Sequence, residues 1–231
     1  MDPEHQSPQS IVNALPLGVV LITLAIVAVE FLFAAGESGI VGGPEAIGWR
    51  LEGIREVAFL DRQWAWMWSN GEFPPRDMAR FVTYPFVHGS FIHALFAGVF
   101  VLALGKFVGE ALGNIAVLSV FFVASIVGAL AYGAVWDTNI ALYGAYPGAY
   151  GLIGAFTAVL FSQLGQMGAN QLQAFRLIGM LLALQLIFAV IFGGQLDWVA
   201  DVAGAAAGFG LGLLFRPGAV AGVLAWMRQR R

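Results

Sequence analysis

Apolar residues gather into six runs, from Leu15 to Ala35, Phe86 to Leu104, Ile115 to Val135, Pro147 to Leu164, Leu172 to Phe192 and Trp198 to Phe215. A helix crosses the hydrocarbon core of a bilayer with about 20 mainly apolar residues, because lipid offers backbone N–H and C=O groups no partner and the helix satisfies its own. The runs therefore predict an all-α membrane protein with six transmembrane helices. The fourth and sixth are Gly-rich and only about 18 residues long, at the short end of the spanning range, so their boundaries are the softest. No internal repeat and no low-complexity linker interrupts the pattern.

The sizeable stretch of mixed polarity is residues 36–85, between the first and second runs, containing WRLEGIREVAFL and DRQWAWMWSNGEFPPRD. Trp64, Trp66 and Trp68 alternate with other residues there, and amphipathic rings favour the headgroup region. The loop is expected to lie partly in the interface; the alternative is a small exposed loop with buried tryptophans. The chain thus divides into a tail (1–14), a membrane body (15–215) that carries this loop, and a basic tail (216–231).

Composition agrees with the pattern. Hydrophobic residues make up 59% of the 231 residues and charged ones 11%, against about a quarter charged in soluble domains. Cysteine is absent, which removes disulfides, thiol nucleophiles and cysteine-bound zinc. Acids and bases interleave, with a net charge of -3, so there is no clustered basic footprint for nucleic acid. The opening MDPEHQSPQS holds no lysine or arginine, unlike the leading region of a cleaved signal peptide, and the first run is expected to be a retained span.

Basic residues in short loops resist translocation. With six spans, Lys106, Arg176, Arg216, Arg228, Arg230 and Arg231 fall on the side of both termini, whereas the two short loops opposite hold none. The long loop carries Arg50, Arg55, Arg62, Arg76 and Arg80, but seven acids as well. Both termini are expected in the cytoplasm, with loop 36–85 on the outer side. The short loops and the lack of a large extra domain suggest a bacterial inner membrane.

Ionisable residues inside a bilayer are costly and mark function by default. Apart from Arg176, counted above with the adjoining loop, those in the runs are Glu30, His88, His93 and Asp201. Glu30 suits either an ion pathway or an anchor for the adjoining long loop. His88 and His93 enter the second run five residues apart, about 140° around a helix, so their rings are not expected to share a face and no metal site is predicted.

The segment ARFVTYPFVHGSFIHALFAGVF resembles the rhomboid intramembrane serine proteases, whose second helix opens with two histidines followed four residues later by asparagine. Here that last position is Ala97, and Arg80 falls where the family's loop carries an arginine. The family's Gly-x-Ser-Gly turn corresponds to Gly148, Ala149, Tyr150 and Gly151. Its Ala-His-x-x-Gly-x-x-x-Gly corresponds to Ala200, Asp201, Val202, Ala203, Gly204 and Gly208. The resemblance implies a six-helix rhomboid-like bundle with nucleophile and base replaced by Tyr150 and Asp201. It also implies that His88 and the Ala97 position belong to the oxyanion site, where each donor is worth roughly 3 to 4 kcal/mol.

Serine catalysis needs a hydroxyl beside a base, and Tyr150 and Asp201 supply neither in the required form. They are expected to form a structural pair, phenol to carboxylate. Gly204, Gly208 and Gly212 on the last span, and Gly148, Gly151 and Gly154 on the fourth, make small-residue faces that would let these helices touch. The resemblance then implies a non-catalytic protein that binds transmembrane helices of clients, with no cofactor. The alternatives are an accessory subunit of a larger membrane complex, or a peptidase with remodelled chemistry using Tyr150 or Ser90. A transporter is disfavoured by the scarcity of polar residues in the spans.

Overall fold

The computed structural model describes residues 14–138, 140–192 and 196–216. The tails apart from Ala14 and Arg216, with Arg228, Arg230 and Arg231, lie outside them. Among the described residues four helices are long and apolar enough to cross a membrane: α1 (Leu17–Glu37), α5 (Phe91–Leu112), α6 (Asn114–Val135) and α7 (Tyr146–Gln166). Two 17-residue helices follow, α8 (Arg176–Phe192) and α9 (Trp198–Leu214). Between α1 and α5 the chain forms three short helices, α2 (Trp49–Val57), α3 (Asp61–Asn70) and α4 (Pro75–Thr83).

The loop is thus more ordered than its mixed polarity suggests. Strand β1 (Phe59–Leu60) pairs antiparallel with β2 (Ala141–Leu142), Phe59 opposite Leu142, and pins the loop to the head of α7. The three tryptophans differ in their surroundings. Trp64 packs edge-on to Phe81 at 5.3 Å, while Trp66 and Trp68 are exposed.

The second span begins later than its apolar run implies. Pro85 sits in a 3₁₀ turn (Tyr84–Phe86), and Ser90 caps α5 by accepting the His93 N–H. Val87 to Gly89 therefore lie before the helix. At its other end α5 passes Leu104 and runs on to Leu112, stopping at Gly113 with φ +90°, which favours glycine.

At the centre lies α7, between α5, α6 and α9. Every residue from Pro147 to Ala155 is buried. Helices in lipid gain no hydrophobic drive from meeting each other, so close backbone approach is a main source of cohesion. A Cβ at Gly208 would collide with the Gly151 carbonyl oxygen, and one at Gly204 with that of Pro147. The glycine face of α7 is shared between two neighbours: a Cβ at Gly154 would strike the Ala205 carbonyl of α9, whereas Gly148 and Gly151 admit Phe121 and Ala124 of α6.

Candidate functional site

These contacts bring the heads of α7 and α9 together and carry Tyr150 and Asp201 inward, at 8% and 1% exposure. The two do not bond directly, contrary to the pair expected from the sequence. Gln185 of α8 stands between them. The Tyr150 hydroxyl donates to Gln185 Oε1 at 3.1 Å, and Gln185 Nε2 donates to Asp201 Oδ2 at 2.6 Å. An amide suits this place because it offers an acceptor to the phenol and a donor to the carboxylate. Asp201 Oδ1 is buried with no hydrogen-bond partner among the described residues. Gln185 is the residue that sequence reasoning missed. Its signal was a lone amide in the run from Leu177 to Phe192, polar but not ionisable, and so outside a search restricted to charge.

The histidines also depart from expectation. Because His88 precedes α5, helical spacing does not separate it from His93, and the rings meet edge to face with centroids 5.0 Å apart. His88 is 1% exposed, and its Nε2 accepts the Ala145 N–H at 3.2 Å, bracing the head of α7. That nitrogen is an acceptor here, not a free donor for an oxyanion. His93 instead lines an open cleft of about 460 Å³ with Gly89, Ser90, Tyr143, Tyr146 and Asp197, its ring stacked on Tyr146 at 5.1 Å. Ala97 is fully buried in the core beneath.

Serine, histidine and aspartate share this cleft. Even so, the Ser90 oxygen is engaged with the backbone N–H of His93. Asp197, just before α9, has its carboxyl held above the usual carboxylate range by burial, opposed by hydrogen bonds from its own and the Trp198 backbone. Among the described residues no three His, Asp or Glu side chains are grouped to hold a metal ion.

Polar anchors secure the loop around the cleft. Arg50 of α2 grips Glu30 of α1 with two nitrogens, at 2.7 and 2.9 Å, and Glu37 through Nε at 2.6 Å. The same guanidinium donates to the His88 carbonyl at 3.0 Å, so α1, α2 and the approach to α5 meet at one side chain. Hydrogen bonds to Glu30 first, then Glu37, hold Arg50 above its already high range. Arg80 of α4 donates to the Ala58 and Arg55 carbonyls at 2.7 and 3.1 Å, closing the end of α2.

The family model for the Rhomboid domain matches residues 75–218. The chain belongs to the rhomboid family. It is an integral membrane protein by that membership and by its apolar helices. No curated protein matches it. In this rhomboid protein the motif positions named from sequence lie at one place in the fold: Gly148, Tyr150 and Gly151 on α7, Asp201, Gly204 and Gly208 on α9. A side chain from α8 joins Tyr150 and Asp201.

Proposed function

We propose that this rhomboid protein binds transmembrane helices of other membrane proteins without cleaving them. The observation that carries the proposal is the Tyr150–Gln185–Asp201 chain. At the position of the family's nucleophile a phenol donates to an amide, and at the position of its base a carboxylate accepts from the same amide. Neither replaced residue faces a partner suited to activating an alcohol. The lightly packed α8 supports a lateral site for a client, since none of its described side chains is buried.

The proposal includes six spans, α8 and α9 completing the four longer ones, both termini in the cytoplasm and the loop 36–85 outside. The membrane is a bacterial inner membrane. Reporter fusions after Ala169 and after Arg231 should read cytoplasm, and one within residues 71–75 the opposite side; a cytoplasmic loop overturns that topology.

Fluorophosphonate labelling of the purified protein tests the absence of catalysis. No labelling and no cleavage of transmembrane substrates are expected. Labelling abolished by changing one serine would establish a peptidase instead. Mass spectrometry of proteins that co-purify in mild detergent tests client binding: varied substoichiometric partners support it, and one partner at fixed stoichiometry marks an accessory subunit.

A further inference from the structure

We infer that the cleft at the heads of α5, α7 and α9 receives a cationic side chain, the lysine or arginine just beyond a client's transmembrane segment, between the Tyr143 and Tyr146 rings and the Asp197 carboxylate. The inference rests on the helix-binding reading above and names what that site selects.

The lining decides the chemistry. Tyr143 and Tyr146 bring aromatic rings, the second with one face stacked on His93, and Asp197 a carboxylate, while no lysine or arginine is among the described residues that line the space. Cations are drawn to aromatic faces and more strongly where water is thin. Three helices begin at the cleft, and their positive ends would favour an anion, but each head is already served. Ser90 caps α5, His88 accepts the Ala145 N–H before α7, and Asp197 places its acidic group at the N-cap position of α9. A carboxylate with no lysine or arginine beside it among the described residues remains.

One wall of the cleft is apolar. Ile92 and Phe96 of α5 border it and are 57% and 54% exposed. A span lying along them would place the first residue past its apolar stretch at the aromatic pair. A phospholipid ammonium would arrive with its phosphate, for which the described lining offers no lysine or arginine. That favours a peptide cation over a headgroup.

The test uses the full chain in nanodiscs of phosphatidylglycerol, which contains no amine. The natural lack of cysteine allows one introduced cysteine to carry an acceptor dye. Donor-labelled leucine–alanine helices of about 20 residues, ending in Lys or Gln on the cleft side, are titrated by energy transfer. Butylammonium is titrated in parallel by saturation-transfer NMR.

The Lys helix should bind about tenfold tighter than the Gln helix, a margin of about 1.4 kcal/mol. Asp197→Asn should erase the difference while retaining Gln-helix binding, because asparagine caps a helix as well as aspartate. Tyr143→Leu should reduce it. Equal affinities overturn the inference and leave helix binding standing. If no helix binds but butylammonium gives a signal that requires Asp197, helix binding falls and the cation site stands. No butylammonium signal overturns the site. Loss of the Lys advantage on adding phosphatidylethanolamine assigns the cleft to a headgroup and overturns the peptide reading.

Discussion

Helices α8 and α9 have the same length and both pack on α7, yet they are held by opposite means. Against α9, α7 has shed its side chains, so that Gly208 meets the Gly151 carbonyl and Gly154 meets that of Ala205. Against α8, contact is made by partly buried Leu177, Ile178, Leu181 and Leu182, together with the amide of Gln185. A glycine interface admits no rearrangement short of separating the helices, because its contacts are backbone to backbone. An amide-bridged one opens by exchanging two hydrogen bonds. The first suits a scaffold and the second a movable wall.

The largest expected effect lies on the scaffold side. Gly208→Leu should cost about 3 kcal/mol or more, as overpacking does when no side chain can yield, and should lower the melting temperature in detergent or prevent folding. Gly210→Leu on the same helix is the control, since a Cβ there meets nothing within 4 Å. Its melting should change little. Equal losses at both positions would mean that leucine disturbs α9 itself rather than an interface.

Gln185→Leu comes next. Removing the amide leaves Asp201 with no hydrogen-bond donor in the structure and the Tyr150 hydroxyl without its acceptor, a loss of about 1 to 3 kcal/mol. Its more telling readout is local. With cysteine placed at Leu181, maleimide labelling should quicken in the Gln185→Leu background, while a cysteine at Ala205 on α9 should stay protected. Unchanged labelling at Leu181 would show that apolar contacts alone keep α8 in place.

What the sequence disclosed follows the same division. Glycines at four-residue spacing announce a small-residue face, and the α7–α9 contact was legible because backbone approach depends on the absence of side chains at known positions. Motif order placed Tyr150 and Asp201 at one site. The amide between them was not legible, because spacing along α8 says nothing about which of its residues reaches two other helices. The start of α5 was hidden for a different reason. Phe86 and Val87 are as apolar as the helix that follows, and the local chemistry of Pro85 and Ser90 sets the boundary. That displacement brought the His88 and His93 rings together where helical geometry had separated them. In the loop, the Arg50–Glu30 pair fixed an order that mixed polarity had concealed.

The smallest expected effect tests the central claim, that Tyr150 and Asp201 are coupled through Gln185 as a structural bridge. The measurement is a double-mutant cycle of Tyr150→Phe and Asp201→Asn, read as unfolding free energy in detergent and repeated with Gln185→Leu. Interhelical hydrogen bonds in membranes average about 0.6 kcal/mol and reach about 1.7. A coupling in that range in the native background, falling to zero once Gln185 is leucine, is the predicted result. Additive single effects with Gln185 present, or a coupling that survives its removal, would contradict the bridge.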